Sequence, residues 1–232
     1  MDALLPARHA VVTCGPALAP IDDVRRITNF STGELGVRLC EELVRNGWRV
    51  TCLKGTGATY RDPEGANLRV IPFETNGDLL DALVGMDEPE SVSTVFHAAA
   101  LCDFEVFRIE GPDGTELLEK KIPSFYPEVR VLLRPSFKLL PRLEEIFPKA
   151  KVVGWKFELR GDRASALTCA KVQLDLVHSS LCVLNGAAYG DGFGIMDHSG
   201  LIAEVASRTE LSRWLCDWAE RSRRPLPKLS AG

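Results

Sequence analysis

The sequence lacks any apolar run that approaches the roughly 20 residues needed to cross a lipid bilayer. It also lacks a surplus of positive charge, because 28 lysines and arginines stand against 32 aspartates and glutamates, for a formal net charge of -4. A nucleic-acid partner is therefore not expected. The amino terminus has no basic leader followed by an apolar core and a small-residue cleavage site. These absences predict a cytoplasmic protein with no membrane-bound segment.

A disulfide framework and a metal cluster are also missing from the pattern. The seven cysteines are odd in number, no two are spaced C-x-x-C, and several lie inside apolar runs. The four histidines are widely scattered, and His97, which ends an apolar run, is expected to be a packed residue rather than a ligand. We therefore expect buried free thiols in a reducing compartment and no protein-bound metal.

What the sequence does contain is a regular alternation of short apolar runs and helical patterns. Hydrophobic residues make up 45% and charged residues 26% of the chain, which is ordinary for a globular protein. Because parallel strands need a crossover helix, the alternation predicts an α/β, Rossmann-like fold with three layers and a mostly parallel sheet. The expected strands are Ala10–Thr13, Arg49–Leu53, Leu68–Phe73, Ser93–Ala98, Val129–Leu133, Lys151–Phe157 and Leu181–Leu184, and the expected helices are Gly33–Arg45, Asp78–Val84, Pro135–Phe147 and Arg163–Leu176.

The carboxyl-terminal part of the chain predicts a hairpin and a closing helix. Phe193–Met196 and Leu201–Val205 flank the turn residues Asp197–Gly200. Arg208–Arg221 carries leucines and tryptophans on one stripe, which is typical of an amphipathic helix. We expect residues 1–224 to form one nucleotide-binding domain and residues 225–232 to form a loose tail.

One segment, Phe104–Pro127, fits neither the strand nor the helix pattern. It is polar, contains Gly111, Pro112 and Gly114, and then presents Lys121. A segment of this length between two strands is a lid, a dimerisation arm or a plain loop, and the pattern does not distinguish them. An isolated lysine in such a segment is usually a solvated surface group.

Two groups of small residues follow predicted strands and are candidate ligand sites. Gly15 ends the first strand, and Ser31, Thr32 and Gly33 open the first long helix, where free backbone amides favour phosphate. Ser31 or Thr32 could equally be a simple helix cap. The alanines after His97, with Asp103 beyond them, would let a ligand approach the backbone at the end of a strand. Asn185 could orient a ligand at the end of Leu181–Leu184, although a glycine-rich turn of the hairpin explains that region better.

Five segments, in the same order, resemble the phosphopantothenoylcysteine synthetase (phosphopantothenate–cysteine ligase) family. PIDDVRRITNFSTGELG resembles the family signature of Pro-Ile-Asp, Val-Arg, Asn and a Ser-Ser-Gly turn. HAAALCDF resembles its His-Ala-Ala-Ala-x-x-Asp-Tyr/Phe segment. EKKIPS is similar to its Lys-Ile motif, VVGWKFE to its Gly-Phe-x-x-Glu strand, and LNGAAYGDGFG to its Ala-Asn loop. The joint order of these motifs makes the resemblance specific even though three of them are weak alone.

The resemblance implies a two-step ligase of coenzyme A biosynthesis. A nucleoside triphosphate, ATP or CTP with Mg²⁺, would activate the carboxylate of 4′-phosphopantothenate as an acyl-nucleotide and release pyrophosphate. The amine of cysteine would then displace the nucleotide and form an amide. The resemblance also implies a homodimer in which the flap of one subunit, residues 104–127 here, helps to close the other site. No flavin is expected, because the chain begins at the first strand of the ligase half.

The resemblance assigns roles to the matching residues. Asn29 would hydrogen-bond the activated acyl group and support amide formation, and Lys121 would meet the triphosphate from the flap. Arg25 and Asn185 would contact the acid substrate. The residues expected to bind the nucleotide and its phosphates are Gly15, Ser31, Thr32, Gly33, Ala99, Ala100, Asp103, Trp155, Lys156 and Phe157. The ligase interpretation requires Lys121 and the turn that opens the first long helix to converge on one triphosphate.

Several departures from the family pattern leave the activity open. Gly15–Pro16–Ala17 stands where the family has Gly-Gly-Thr, and Glu34 replaces a lysine near the expected phosphates. A diverged protein that binds a nucleotide or a phosphopantetheine-like ligand without turnover is therefore the alternative. Trp155–Glu158 favours ATP and Gly192–Gly194 favours CTP, so the base is undecided. A short-chain reductase ranks last, because the chain has neither a G-x-G-x-x-G run nor a Tyr-x-x-x-Lys pair.

Overall fold

A computed structural model describes residues 8–223 and has an eight-stranded sheet at its centre. The strands are β1 (His9–Cys14), β2 (Leu18–Pro20), β3 (Arg26–Thr28), β4 (Arg49–Gly55), β5 (Leu68–Phe73), β6 (Thr94–His97), β7 (Phe104–Glu110), β8 (Arg130–Pro135), β9 (Lys151–Phe157), β10 (Leu181–Gly186), β11 (Gly190–Asp197) and β12 (Gly200–Val205). The helices are α1 (Glu34–Arg45), α2 (Asn76–Val84), α3 (Leu143–Ile146), α4 (Arg163–Val177) and α5 (Arg208–Ser222).

The central sheet has the order β12-β11-β10-β9-β6-β1-β4-β5. The strands from β10 to β5 pair in parallel, and β11 and β12 add an antiparallel edge. The predicted Rossmann-like α/β fold with a mostly parallel sheet and a carboxyl-terminal hairpin is therefore confirmed. The carboxyl ends of the parallel strands meet at one edge, which is the usual ligand edge of such sheets.

The two faces of the sheet bury alternate residues of each strand, as the period of two requires. Val12 packs with Leu39 of α1 and Leu211 of α5 on one face. Val11, the next residue along β1, packs with Leu79 of α2 on the opposite face. Helices therefore cover both faces, and β1, which lies near the middle of the sheet, is buried throughout.

The predicted helix Pro135–Phe147 is wrong. Pro135 ends β8, and the helical residues that follow are a single 3-10 turn, Leu140–Arg142, and the four residues of α3. Pro141 explains the difference, because proline supplies no N–H for an intrahelical bond and clashes with the preceding turn. The apolar spacing of this stretch is real, but its leucines pack the second face of the sheet from short turns.

The segment Phe104–Pro127 is more regular than the sequence predicts. Its first seven residues form β7, which pairs antiparallel with β8 from Phe104↔Pro135 to Glu110↔Arg130. We call β7, β8 and the connection between them the arm. The arm has a small apolar core of its own, formed by Ile109, Leu117 and Ile122. A second antiparallel pair, β2 and β3, is also absent from the sequence prediction.

Two predictions about the ends of the chain stay open. The loose tail, residues 225–232, lies outside the described residues, and the assignment of residues 1–224 to one domain remains a prediction. Within residues 8–223, no helix combines the length and the apolar character needed to cross a membrane.

The contact between α1 and β1 generates a stability prediction. A Cβ atom on Gly36 of α1 would lie 2.2 Å from the Cβ atom of Cys14 in β1. Gly36→Ala should therefore lower the free energy of unfolding by about 1–3 kcal/mol through overpacking. Gly77→Ala in α2 is the matched control, since its Cβ atom would meet only Thr75 Oγ1 at 3.5 Å. Urea denaturation should show no loss for the control, and equal losses for both variants would contradict the packing argument.

Candidate active site

The site begins where β1 leaves the sheet at Gly15. This residue has a φ of 78°, a left-handed conformation that favours glycine. Its carbonyl accepts a hydrogen bond of 2.9 Å from the amide of Ala100, and the carbonyl of Ala100 accepts one of 3.0 Å from the amide of Ala17. A side chain on Gly15 would approach Ala58 to 2.9 Å. The backbones after β1 and β6 therefore lie side by side beyond the ends of both strands.

The amino terminus of α1 adjoins this junction. Gly33 precedes the helix, supplies no side-chain cap, and has a Cβ position 3.5 Å from the Cα atom of Gly15. The hydroxyl of Thr32 accepts from the amide of Glu34 at 3.3 Å. The next two amides, of Leu35 and Gly36, have no acceptor inside the helix, because the first turn of any α-helix leaves such groups unpaired. These amides and the helix dipole favour an anion, and the phosphate-binding role of Ser31, Thr32 and Gly33 stays a prediction.

Asn29 connects the same turn to the end of β6. Its side-chain amide donates to the carbonyl of Leu101 at 2.7 Å and to the carbonyl of Ala100 at 3.3 Å. Asn29, Gly15 and Ala100, which are up to 85 residues apart in the chain, thus form one cluster at the carboxyl edge. Within residues 8–223, the side-chain carbonyl of Asn29 makes no hydrogen bond and remains available as an acceptor.

The charge of Glu34, which differs from the family pattern, is balanced by two arginines. Arg38 donates to its carboxylate at 2.8 Å from the next turn of α1, and the Arg208 guanidinium lies 3.7 Å from the same carboxylate. These three side chains line an open cleft of about 450 Å³ between α1, β11 and the start of α5. Glu34 therefore does not leave an uncompensated negative charge beside the α1 turn.

A second group of predicted residues lies along the same edge, at the end of β9. In the sheet, His97 pairs with Gly154, so Trp155, Lys156 and Phe157 extend beyond the end of β6. Phe157 pairs in register with Asn185 of β10, and its side chain is exposed. Lys156 forms an ion pair of 3.1 Å with Glu158. The register thus brings Trp155–Phe157 and Asn185 together.

Trp155 has an unpaired donor at this edge. Its indole N–H is buried and has no hydrogen-bond partner among the described residues. Buried donors are normally paired, so each exception needs an explanation. Trp48 and Ser179 hold the other two such groups in the described chain, and both precede strands, at the opposite edge of the sheet.

The glycines after Asn185 are explained by packing. A Cβ atom on Gly192 would lie 2.5 Å from the carbonyl oxygen of Val205, and one on Gly194 would lie 2.7 Å from the Tyr189 ring. The close packing of β11 therefore explains Gly192 and Gly194 without a ligand, and the choice between ATP and CTP stays open.

Asp103 lies at the root of the arm, directly before β7. Its backbone carbonyl accepts from the amide of Ser136 at 2.9 Å, and its exposed carboxylate accepts from the ammonium group of Lys138. Among residues 8–223 no cluster of three or more histidine, cysteine, aspartate and glutamate side chains could hold a metal ion. Asp103 is therefore a single carboxylate next to the junction of β6 and the arm.

Arg25 and Lys121 are brought together on the arm side of the molecule. The guanidinium of Arg25 donates to the carbonyl of Ile122 at 2.6 Å. The ammonium group of Lys121 is exposed and has no hydrogen bond or ion pair within the described residues. The roles predicted for all these residues remain predictions.

Three residues that organise the site escaped the sequence analysis. The buried side chain of Asn76 donates to the carbonyl of Cys102 at 2.8 Å and accepts from its amide at 3.1 Å, which fixes the connection between β6 and β7. Ala58 lies against both Gly15 and Gly33, and the run of small residues from Gly55 to Ala58 is a signal that could have indicated it. Asp22, within the signature segment, bonds to the arm.

Most of the cysteines and His97 belong to the packed interior. All seven cysteines are free of disulfide bonds, and six are buried, while Cys169 is exposed. His97 Nδ1 and Thr13 Oγ1 form a buried hydrogen bond of 2.7 Å that ties β6 to β1. A second open cleft, of about 440 Å³, lies beside His9 and Arg49 at the amino-terminal edge and contains no predicted site residue.

The sheet order and the site at its carboxyl edge define a Rossmann-like α/β protein. The model of the DNA/pantothenate metabolism flavoprotein C-terminal domain family matches residues 5–213, and the chain belongs to this family. The match confirms the family resemblance that the five motifs indicate. The coenzyme A biosynthesis bifunctional protein of Thermococcus kodakarensis is 29% identical over 181 residues, which are 78% of this chain and 42% of that protein. The chain thus spans less than half of this relative.

Solved structures share the fold. The DNA/pantothenate metabolism flavoprotein from Streptococcus pneumoniae superposes with a TM-score of 0.80 at 22% identity, over 92% of this chain and 99% of that one. A Cab2 variant in complex with phosphopantothenate-cysteine superposes with a TM-score of 0.67 at 19% identity, over 93% of this chain and 86% of that one.

The buried histidines generate a prediction of pH dependence. Burial lowers the pKa of His97 from 6.5 to about 4, and burial together with the Arg49 charge lowers the pKa of His9 to about 4. The folded state therefore takes up these protons only at lower pH than the unfolded state. The histidine contribution to stability is complete above pH 6.5 and is lost as pH falls towards 4.

The free energy of unfolding should fall less between neutral and acidic pH in His97→Gln than in wild type, by up to about 3 kcal/mol. Urea denaturation of wild type and variant at pH 8 and pH 4.5 measures the difference. At pH 8 neither imidazole is protonated, so that comparison isolates the packing cost of the substitution. An unchanged pH slope in the variant would show that His97 is not the titrating group.

Proposed function

We propose that this protein is a phosphopantothenate–cysteine ligase, which activates the 4′-phosphopantothenate carboxylate with a nucleoside triphosphate and then forms an amide with cysteine. The observation that carries the proposal is the cluster at the carboxyl edge, where Asn29 lies against Ala100 and Leu101 beside the uncapped start of α1. Such a cluster places an anion site, at the start of α1, and an amide group for an acyl centre, on Asn29, within a few residues of each other in the chain. Family membership and a structural neighbour that holds phosphopantothenate-cysteine support the choice of substrates.

In the first step, the carboxylate of the acid attacks a phosphate of the nucleotide and pyrophosphate leaves. The open amides of α1 bind phosphate oxygens, and Lys121 adds a positive charge that stabilises the negative charge developing on them. The buried, unpaired indole N–H of Trp155 would gain an acceptor from the bound nucleotide. Glu34 does not oppose this step, because Arg38 and Arg208 neutralise it.

Magnesium fits this site as a companion of the triphosphate. Mg²⁺ keeps several waters and is commonly held by one or two carboxylates together with substrate phosphates. Asp103 is the residue that would hold it; its exposed carboxylate suits that shared arrangement, and the ion would compete there with the ammonium group of Lys138. The ion would neutralise charge on the triphosphate when bound.

In the second step, the amine of cysteine attacks the acyl carbon, the nucleotide phosphate leaves, and the amine loses a proton. The side-chain N–H groups of Asn29 are committed to the carbonyls of Ala100 and Leu101. Its free carbonyl oxygen therefore accepts an N–H of the incoming amine and aligns its lone pair on the acyl carbon. Asn29 acts in amide formation and is not needed to release pyrophosphate.

A homodimer forms part of the proposal. The hairpin β2–β3 and the arm expose several large apolar side chains, and an unpaired apolar surface of this kind is typical of an interaction site. The exposed residues are Val24, Ile27, Phe104, Phe107, Leu118, Phe125 and Leu133. In the dimer, the arm of one subunit would help to close the site of the other. Sedimentation equilibrium at micromolar concentration tests this assembly, and a monomer would contradict it.

The decisive experiment measures pyrophosphate release with 4′-phosphopantothenate and either ATP or CTP, followed by amide formation after cysteine is added. Release with one nucleotide supports the ligase and identifies the base. Tight binding of both nucleotides, seen as a rise in apparent thermal stability without release, would instead support a protein that binds and does not turn over.

Lys121→Ala should abolish most of the pyrophosphate release. The lysine charge acts on the triphosphate in the transition state, and loss of one such group typically costs roughly 100- to 1,000-fold in kcat. Lys120→Ala is the matched control, because it removes the same charge from the neighbouring exposed position. If the two substitutions slow pyrophosphate release equally, Lys121 has no special role in the activation step.

Asn29→Ala should leave pyrophosphate release largely intact and slow amide formation by roughly 100-fold, since the attacking amine loses its acceptor. An acyl-nucleotide should then accumulate, and rapid-quench chromatography with labelled nucleotide would detect it. If the first step collapses instead, Asn29 serves the activation step and the assignment above is wrong.

A further inference from the structure

The backbone on both sides of Lys121 is held by the turn between β2 and β3. The carbonyl of Lys120 accepts a hydrogen bond of 2.8 Å from the amide of Asp23. The amide of Ile122 donates to the carboxylate of Asp22 at 3.0 Å, and the carbonyl of Ile122 accepts from the guanidinium of Arg25 at 2.6 Å. Lys121 therefore lies between two fixed residues while its own side chain is free to meet a ligand.

The Asp22 carboxylate is the centre of this arrangement. Its side chain is only 1% exposed. One oxygen accepts from the amides of Val24 and Arg25 at 3.0 and 2.8 Å. The other accepts from the amide of Ile122 and from the guanidinium of Arg25. Although burial raises the pKa of Asp22, the hydrogen bonds from Arg25 and from the amides outweigh it and hold the pKa well below its usual range.

Apolar packing fixes the same segment from the other side. Ile122 is 2% exposed and packs with Ile109 and Leu117 of the arm, and Ile21, the residue before Asp22, lies against this cluster. The backbone bonds and the apolar contacts thus join the β2–β3 turn to residues 120–122. We call Asp22, Arg25 and their bonds to residues 120–122 the clasp.

We propose that Asp22 is a positioning residue for the activation step, which holds Lys121 in its working place before the nucleotide binds. The role of Lys121 in this inference rests on the proposed function. The clasp itself rests on the geometry alone. A segment held in advance loses less conformational freedom when the triphosphate binds. The flap lysine of this protein is therefore preorganised, and Asp22 acts through it without touching the substrate.

The number of donors explains why a carboxylate is needed at this position. Asp22 accepts three backbone N–H groups and the Arg25 guanidinium, and a carboxylate has acceptor sites for all of them. Asn in its place would present an NH₂ group to donors on one side. Asp22→Asn, which is nearly isosteric, should therefore open the clasp with little change in volume. Asp23→Asn is its matched control, because the Asp23 side chain is exposed and makes no hydrogen bond within the described residues.

The kinetic arm of the test measures pyrophosphate release by the full chain at saturating 4′-phosphopantothenate. For Asp22→Asn we expect kcat to fall by roughly 10- to 100-fold, the scale of a misplacement of about 1 Å. The KM for the nucleotide should change much less, since the α1 turn still binds the phosphates. A purely structural role would lower the folded fraction of Asp22→Asn, but not that of Asp23→Asn, and would leave the kcat of the folded protein unchanged, which would overturn the proposal.

The second arm does not depend on activity. Trypsin cleaves after lysine, and the bond between Lys121 and Ile122 is protected as long as the clasp holds Ile122. Asp22→Asn should accelerate cleavage at this bond by roughly 10-fold or more, because local opening controls proteolysis. Asp23→Asn should leave the rate unchanged. Equal cleavage of wild type and Asp22→Asn would overturn the clasp.

The two arms separate the possible failures. If wild type releases no pyrophosphate with either nucleotide, the proposed function fails and Asp22 has no activation step to serve, while trypsin still decides whether it holds the segment. If Asp22→Asn does not fold, hydrogen exchange of wild type replaces it. Slow exchange of the Ile122 amide supports the clasp, and exchange as fast as in an exposed loop would refute it.

Discussion

The close approach of the backbones at Gly15 and Ala100 is the constraint on which the rest of the site depends. Their hydrogen bonds extend the contact between β1 and β6 beyond the two strands and direct the chain from Gly15 into the β2–β3 hairpin. That hairpin then returns at Asn29, whose amide bonds to the same Ala100 carbonyl. A side chain at Gly15 would meet Ala58 and Gly55, so glycine is what allows the sheet edge, the hairpin and α1 to converge.

The charges around this edge are arranged so that the α1 turn remains suited to an anion. Glu34 would weaken phosphate binding if its carboxylate were free, because it lies at the positive end of the helix dipole. Arg38 and Arg208 pair with it instead. Lys54, which is nearly buried at the end of β4, is likewise paired with Asp62 at 2.7 Å and is not an extra cation for the ligand. In the proposed function, Lys121 on the arm supplies the free positive charge.

The sequence predicts those parts of the structure that depend on local pattern. The period of α1 and the β-branched run of β9 are strong, so their predicted bounds agree closely with the structure. The prediction of a helix at Pro135–Phe147 is wrong because Pro141 prevents a continuous helix in spite of the helical spacing of the apolar residues. The strands β2 and β3 are not predicted because they are too short to show a period. Asp22 could not be assigned a role from sequence, because its partner Ile122 lies 100 residues away. The strand pattern places Gly15 and Ala100 at the ends of predicted strands, whereas Asn29 is assigned to the site only through the family resemblance.

One short hairpin links the two proposed steps of the reaction. Its turn holds the segment of Lys121 through Asp22, and its outgoing strand β3 ends next to Asn29. Three residues lie between Arg25 and Asn29, so the Cα atoms of the two positions are at most about 14 Å apart even in a fully extended chain. A displacement of the hairpin would therefore disturb both the activation of the acid and the attack of the amine. The Gly15–Ala100 junction fixes the base of this hairpin to the fully buried strand β1, so an exposed turn has a rigid support from which to hold Asn29 and the segment of Lys121 in place.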